Sequence, residues 1–137
     1  MIPRPNQIIA LARAVCRKVR RRRSIARTVV LRNRRLISID PTATISDYVM
    51  IFAPRFPVTV GAFSQLNPFT VIYGGSGVEI GRHVMIAPHC VLAAGNHDYH
   101  QLDQPMRLAG NVSRGPIVIE DDVWIGANCT ITDGVRI

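Results

Sequence analysis

Residues 58–92 read VTVGAFSQLNPFTVIYGGSGVEIGRHVMIAPHCVL, with an aliphatic residue at almost every sixth position. The spacing extends in both directions to thirteen positions: Ile39, Ile45, Ile51, Val60, Leu66, Ile72, Ile80, Ile86, Leu92, Ile119, Ile125, Ile131 and Ile137. A six-residue period matches neither a helix face nor the two-residue alternation of a half-buried strand. It is typical of a parallel β-helix, in which each hexad supplies one short strand.

The hexad also predicts which side chains fill the interior. The first residue should point inward, and the fifth should be small and face inward as well. The fifth-position residues are Ala43, Val49, Ser64, Thr70, Ser76, Val84, Cys90, Val123, Cys129 and Val135. Second positions are often Gly, Ala or acidic, and we expect them to accommodate the corners between strands. A β-sandwich is disfavoured because its strands would alternate with a period of two.

Three interruptions break the hexads, at 57–59, at 78–79 and at about 97–116. The last is by far the longest, and a long loop in an otherwise economical domain is usually functional. Ile137 is itself a first-position residue with no hexad after it. We therefore expect the chain to be a fragment that lacks its C-terminal coils, because an uncapped coil exposes strand edge and apolar surface.

Composition agrees with a core of stacked aliphatic side chains, since 47% of residues are hydrophobic and only 6% are aromatic. No apolar run approaches the length of a bilayer span, and no signal peptide is evident. The three cysteines, Cys16, Cys90 and Cys129, lack metal-type spacing. Cys90 and Cys129 occupy fifth positions, which favours small core residues in a reducing compartment.

Charge is divided unevenly along the chain. Residues 1–39 hold 12 of the 17 Lys and Arg residues and no acid, whereas the remainder holds five basic and nine acidic residues. Apolar residues recur at helical spacing from Ile8 to Val19, which predicts a basic, partly helical arm over residues 1–38. The arm could cap the solenoid or lie on an anionic membrane. Nucleic-acid binding is disfavoured, because the arm has no aromatic residue to stack on bases.

Two stretches resemble a known family, the left-handed β-helix (hexapeptide-repeat) acyltransferases. They are NPFTVIYGGSGVEIGRHVMIAPHCVLAAGNHDY, residues 67–99, and GPIVIEDDVWIGANCTITDGVRI, residues 115–137. The similarity is greatest to the maltose/galactoside-type and polysaccharide O-acetyltransferases, and it covers residues 39–137. It implies an all-β, left-handed parallel β-helix, a homotrimer with sites between subunits, acetyl-CoA as cosubstrate and no metal.

The resemblance also implies roles for individual residues. His97 matches the family's general base, and Trp124 matches the tryptophan that lines the same site. Asn67 matches an acceptor-contacting asparagine, although it could equally be a corner residue that bonds the backbone. Gly126 and Ala127 match backbone that approaches the thioester. The sugar-binding acid of the galactoside branch is absent, so a simple galactoside acceptor is disfavoured.

The chemistry is consistent with a loop histidine. Transfer of an acetyl group to an alcohol needs a base for the hydroxyl proton, and imidazole is largely neutral near pH 7. His97 could be held by Asp98 or by a backbone carbonyl. No covalent acyl-enzyme is required. His83 and His89 occupy outward-facing fourth positions, which predicts surface residues.

The predicted function is therefore acetyl-CoA-dependent O-acetylation of a saccharide hydroxyl on a polysaccharide or lipid-linked precursor. We expect a cytoplasmic protein, which the arm would hold at the inner membrane if it binds anionic lipid instead of capping the solenoid. One alternative is a zinc hydratase like the γ-type carbonic anhydrases, which needs three histidines that converge across a subunit boundary. Another is a non-catalytic trimeric scaffold with a membrane-binding arm, which predicts no affinity for coenzyme A.

Overall fold

A computed structural model describes residues 25–137, which form a parallel β-solenoid with almost no helix. Its strands are β1 Val30–Arg32, β2 Ile37–Ile39, β3 Thr44–Ile45, β4 Met50–Phe52, β5 Val58–Val60, β6 Gln65–Leu66, β7 Val71–Tyr73, β8 Val78–Ile80, β9 Met85–Ile86, β10 Val91–Ala93, β11 Asn96–His97, β12 Asn111–Val112, β13 Ile117–Ile119, β14 Trp124–Ile125 and β15 Thr130–Thr132. A single 3-10 turn spans Arg34–Leu36. No helix in residues 25–137 is long and apolar enough to cross a bilayer.

Three parallel sheets form the sides of the solenoid. Sheet 1 has the order β2-β5-β8-β13, sheet 2 the order β3-β6-β9-β14, and sheet 3 the order β1-β4-β7-β10-β15. The chain visits sheets 1, 2 and 3 in turn, so each coil passes three corners. We call the three resulting columns of corners the 1/2, 2/3 and 3/1 edges. The predicted parallel β-solenoid is confirmed; its left-handed coiling stays a prediction.

The first-position aliphatics form the core, as predicted. Eleven of the thirteen are buried, whereas Ile39 is half-buried and Ile137 is exposed. Parallel register stacks them in columns; in sheet 3 the column is Leu31, Ile51, Ile72, Leu92 and Ile131. Each such side chain taken from water contributes about 1.5–3 kcal/mol. The columns thus supply the main stabilisation of a fold with few aromatic residues.

The interruptions predicted at 57–59 and 78–79 are wrong in detail. Most of those residues belong to strands β5 and β8 of sheet 1, where Val58 and Val78 are fully buried. The additional residues lie just before them, at the 3/1 edge. Sheet 1 therefore contributes a second buried column, which the hexad count did not predict.

Small polar residues at fifth positions hydrogen-bond the neighbouring coil. Ser64 Oγ donates to the Gly81 carbonyl at 2.7 Å, and Cys90 Sγ donates to the Gly126 carbonyl at 3.0 Å. Cys90 is buried and Cys129 is half-buried, and both are free thiols. The prediction of small core residues at these two positions is confirmed.

The strained corner residue is the fourth of the hexad, not the second. Left-handed backbone with φ near +60° occurs at Tyr48, Phe63, Phe69, His83, His89, Asp122 and Asn128. Such a conformation costs a non-glycine residue about 1–2 kcal/mol. The corner residue Tyr48 stacks on Phe69 at 5.1 Å and Phe69 on His89 at 4.9 Å, which offsets part of this cost.

The second-position glycines Gly61 and Gly81 allow neighbouring coils to approach closely. A Cβ on Gly61 would overlap the Gly81 carbonyl oxygen, and one on Gly81 would lie 2.7 Å from the backbone carbon of Glu120. Neither glycine has a left-handed φ. The expectation that these residues relieve an unusual corner conformation is therefore corrected: they leave room for the next coil.

The solenoid begins earlier than the predicted boundary at residue 39. Ile25 forms a parallel bridge with Ile45, and strand β1 pairs with β4. Residues 25–38, assigned to the partly helical arm from the sequence, thus form most of a first coil and contain no α-helix. The helix predicted between Ile8 and Val19 lies outside the described residues.

Candidate functional site

The long loop leaves the solenoid at the 3/1 edge, between β10 and β13. Its two ends form a small antiparallel hairpin in which β11 pairs with β12 and His97 faces Asn111. Left-handed glycines, Gly95 with φ +151° and Gly115 with φ +123°, mark where the chain departs and returns. The hairpin closes the predicted loop where it meets the solenoid, and His97 lies in this hairpin.

Ser76, in the coil beneath, holds both ends of the loop. Its backbone N–H donates to the Ala94 carbonyl at 2.6 Å. Its hydroxyl lies 3.0 Å from the same carbonyl oxygen and 2.8 Å from that of Gly115. The sequence marked Ser76 only as a small fifth-position residue. A hydroxyl at a fifth position one coil before the longest interruption was the signal that could have identified this contact.

His97 is exposed, and its backbone N–H donates to the Asn96 side-chain oxygen at 2.9 Å. The Asp98 carboxylate does not hold the His97 ring. It accepts the N–H of His100 at 3.0 Å and the side-chain amide of Gln101 at 3.1 Å. Asp98 therefore stabilises the turn that follows His97, and its effect on the imidazole is through the loop backbone.

Trp124 stands on the outer face of sheet 2 with 73% of its surface exposed. Parallel register places it beside Met85, which is also exposed, and Met85 beside Gln65. A large apolar ring in this situation is available to line a site wall. The Trp124 ring does not belong to the core, so core packing does not explain why a tryptophan occupies this position.

Asn67 lies at the 2/3 edge and braces its own corner. Its side-chain N–H donates to the Ile86 carbonyl at 2.9 Å, and its oxygen accepts the amide of Gln65 at 3.0 Å. These bonds agree with the corner interpretation of the sequence. Acceptor binding by Asn67 stays a prediction.

Gly126 and Ala127 occupy the same 2/3 edge, two coils further along. A Cβ added to Gly126 would meet no atom within 4 Å, so the backbone is approachable from outside. Ala127 is exposed. An open strip of backbone beside Trp124 is therefore present where the resemblance predicts contact with the coenzyme.

One chain does not bring all five predicted residues together. Asn67, Gly126 and Ala127 lie at the 2/3 edge next to Trp124, whereas His97 lies at the 3/1 edge. The full width of sheet 3 separates the two groups. A site that used all of them would need a second copy of the chain.

Within residues 25–137, no three metal-ligating side chains are grouped so as to hold an ion. The loop carries His97 and His100, whereas His83 and His89 lie at the 1/2 and 2/3 edges, respectively, where both are exposed as predicted. His83 stacks on Phe63 at 5.0 Å.

No family model matches the chain. Two sequence relatives are a Saccharomyces cerevisiae protein, YJL218W, whose name proposes it as an acetyltransferase, and the galactoside O-acetyltransferase of Escherichia coli. The yeast protein is 37% identical over 81 residues, which cover 58% of this chain and 39% of the relative. The bacterial enzyme is 38% identical over 60 residues, 44% of this chain and 28% of the enzyme. The chain thus spans well under half the length of either relative.

Similar solved structures belong to AntD, an N-acyltransferase from Bacillus cereus. A serine-to-alanine mutant of AntD, in complex with dTDP-4-amino-4,6-dideoxyglucose and coenzyme A, has a TM-score of 0.71 and 25% identity, covering 82% of this chain and 62% of AntD. AntD with dTDP and 3-hydroxybutyryl-CoA has a TM-score of 0.66 and 22% identity. Since the sequence relatives are named as acetyltransferases and the structural neighbours are coenzyme A-binding acyltransferases with this solenoid, the predicted resemblance to the hexapeptide-repeat acyltransferases is confirmed.

Proposed function

We propose that the protein is an acetyl-CoA-dependent O-acetyltransferase that modifies a hydroxyl of a saccharide. The main support is an exposed histidine, His97, on a hairpin fixed at both ends to a solenoid that resembles coenzyme A-bound acyltransferases. We propose oxygen as the acceptor atom because the galactoside O-acetyltransferase is 38% identical over 60 residues of this chain.

In the proposed reaction, His97 removes the proton of the acceptor hydroxyl as the oxygen attacks the thioester carbonyl. The tetrahedral intermediate collapses with cleavage of the carbon–sulfur bond, and the imidazolium returns the proton to the departing thiolate. A positioned base typically contributes about 10²–10⁴-fold to such a step. Backbone N–H groups beside the open strip at Gly126 and Ala127 would stabilise the oxyanion. No acyl-enzyme is formed.

A homotrimer would complete the site. His97 of one subunit would then face Trp124 and the 2/3 edge of its neighbour. The loop presents exposed apolar side chains, among them Leu102 at 93% and Leu108 at 66% exposure. Such side chains on one loop are typical of a surface that is covered by a partner. Burial of these leucines against a second subunit would also hold the loop in its catalytic position.

The basic arm would concentrate the enzyme where its substrate is made. Polybasic segments gain on the order of 1 kcal/mol per Lys or Arg near an anionic leaflet. Residues 1–24, which precede the first coil, contain eight Lys and Arg residues and no acid. We therefore propose a cytoplasmic protein, bound peripherally to the inner membrane, that acetylates a polysaccharide or lipid-linked precursor.

The test is acetyl transfer by the full chain, with acetyl-CoA, a panel of saccharide acceptors and a thiol reagent that detects released coenzyme A. The His97→Ala variant should lose acceptor-dependent release by at least about 10²-fold. His83→Ala is the matched control, because His83 is exposed at another edge. If His97→Ala releases coenzyme A as fast as the wild type, the assignment of the base is wrong.

A further inference from the structure

Three arginines gather at the 3/1 edge of the first two coils. Arg34 and Arg35 belong to the 3-10 turn, Arg55 belongs to the corner of the next coil, and all three are exposed. Register pairs Arg32 with Phe52 and Ile37 with Val58, so the turn is level with the corner that holds Arg55. Neighbouring strands are about 4.8 Å apart, so the backbones of these residues lie in adjacent coils, close enough for three long side chains to converge on one anion.

No acid balances these charges in the three corners of this edge that precede the His97 loop. Residues 33–36, 53–57 and 74–77 contain no Asp or Glu, whereas Asp98 and Asp103 belong to the loop itself. In the part of the chain that the structure describes, the only ion pair joins Arg136 to Glu120, which are located elsewhere. Like charges in adjacent coils repel, and an anion would relieve that repulsion. Guanidinium groups match the oxygens of a phosphate in paired hydrogen bonds.

The same edge carries the His97 loop. Asn33 donates from its side chain to the Ala53 carbonyl at 2.8 Å, Gly74 to Phe52, and Ser76 to Ala94, so the corners stack continuously towards the loop. The loop departs two coils beyond Arg55, a distance of about 10 Å at the usual strand spacing. The arginines therefore lie within the length of a short saccharide from the proposed base.

The candidate contacts for the two substrates lie on opposite sides of the His97 loop along the solenoid axis. Gly126 and Ala127, the proposed coenzyme contacts, belong to the coil after the loop, whereas the arginines belong to coils before it. An anion at the arginines would thus be carried by the acceptor and not by coenzyme A.

We propose that Arg34, Arg35 and Arg55 bind a phosphate group of the acceptor, two to three coils, or about 10–15 Å, from the corner where the His97 loop departs. The substrate class is a phosphorylated saccharide. This inference rests on the proposed function for the identity of the acceptor, but the anion site itself can be tested without acetyl transfer.

The first experiment measures binding of inorganic pyrophosphate to the full chain by calorimetry at physiological ionic strength. The edge variant R34Q/R35Q/R55Q is compared with R21Q/R22Q/R23Q, which removes the same three charges from the arm. The edge variant should bind at least about tenfold more weakly, and the arm variant should stay within about twofold of the wild type. Urea midpoints of both variants verify folding. Equal weakening in both variants, or no binding by the wild type, overturns the site.

The second experiment identifies the source of the phosphate. Glucose 1-phosphate is compared with methyl glucoside, and vesicles of phosphatidylcholine with vesicles that also contain phosphatidylglycerol. We expect the wild type to prefer the phosphorylated sugar, and the edge variant to lose that preference while it still binds anionic vesicles through its arm. If the edge variant loses vesicle binding but keeps the preference for glucose 1-phosphate, the saccharide assignment is wrong. Neither measurement needs acetyl-CoA, so a failure of the proposed reaction is seen separately.

Discussion

Ser76→Ala should reduce activity more than it reduces stability. The Ser76 hydroxyl lies 3.0 Å and 2.8 Å from the carbonyl oxygens of Ala94 and Gly115. Its single proton is shared between them, and the Ala94 carbonyl keeps the backbone bond from Ser76 at 2.6 Å. The lost interaction is therefore worth about 1 kcal/mol, the usual net contribution of one hydrogen bond. However, both ends of the His97 loop lose their side-chain anchor.

Ser64→Ala is the matched control, because Ser64 also occupies a fifth position. Its buried hydroxyl donates to the Gly81 carbonyl at 2.7 Å and accepts the Val84 N–H at 3.0 Å. Alanine would leave a buried N–H without a partner, which costs about 1–3 kcal/mol. Ser64→Ala should thus be the less stable variant by urea unfolding, although Ser64 is remote from the loop.

Activity should follow the opposite order. A misplacement of about 1 Å at a reacting group can cost about 10²-fold, so Ser76→Ala should lower kcat by about 10- to 100-fold. KM for acetyl-CoA should stay within about twofold, and kcat of Ser64→Ala within about threefold at a temperature where both variants are folded. If Ser64→Ala loses as much kcat as Ser76→Ala, or if kcat of Ser76→Ala equals that of the wild type, the Ser76 hydroxyl does not position the His97 loop.

Three further outcomes test other parts of the structure. Gly81→Ala should lower the free energy of unfolding in urea by about 1–3 kcal/mol, because the new Cβ would overlap backbone 2.7 Å away. Gly126→Ala, whose Cβ would meet no atom within 4 Å, should stay within about 0.5 kcal/mol of the wild type. Equal losses in the two variants would show that Gly81 is not required for close approach of the coils. The Thr42 hydroxyl, and to a smaller extent its backbone N–H, donate hydrogen bonds to the Asp40 carboxyl and hold its pKa below the usual 3.8. The stability that these bonds give the folded protein is therefore present above pH 3.8 and is lost as the pH falls through the lowered pKa of the folded state. Thr42→Val should move the Asp40 pKa, followed by carboxyl-carbon NMR, towards 3.8, and an unchanged value would exclude the hydroxyl as the main cause. Trp124→Ala should raise KM for the saccharide acceptor at least about fivefold with little change in unfolding free energy, since the ring is 73% exposed; a large loss of stability instead would assign it a packing role.

Much of the fold was predictable because one hexad corresponds to one strand. The aliphatic column through Leu66 and Ile86 needs only the count of six residues. The start of the solenoid was missed although Ile25, Leu31 and Ile37 are also six apart. The basic residues between them resemble a polar helix face, and only strand pairing shows that they face outward from a coil.

The corners were less predictable, for a physical reason. A left-handed backbone usually indicates glycine, asparagine or aspartate, but here Phe63 and Phe69 adopt it because aromatic rings stack along the edge. That compensation comes from the neighbouring coil, about 20 residues away, so local sequence cannot show it. The location of the loop was predicted; the separation of His97 from Trp124 was not, because it depends on which edge the loop leaves.

Between β1 and β15, all variation in connection length is confined to the 3/1 edge. In this described part of the chain, every corner of the other two edges contains four residues, whereas the 3/1 connections contain four, five, four and twenty-three. The register of the strands therefore does not depend on the length of the segment that follows sheet 3. A foreign peptide grafted there in place of residues 98–110 should leave the columns undisturbed, so that evolution, or a protein engineer, could exchange the reactive part of the molecule while the framework is kept.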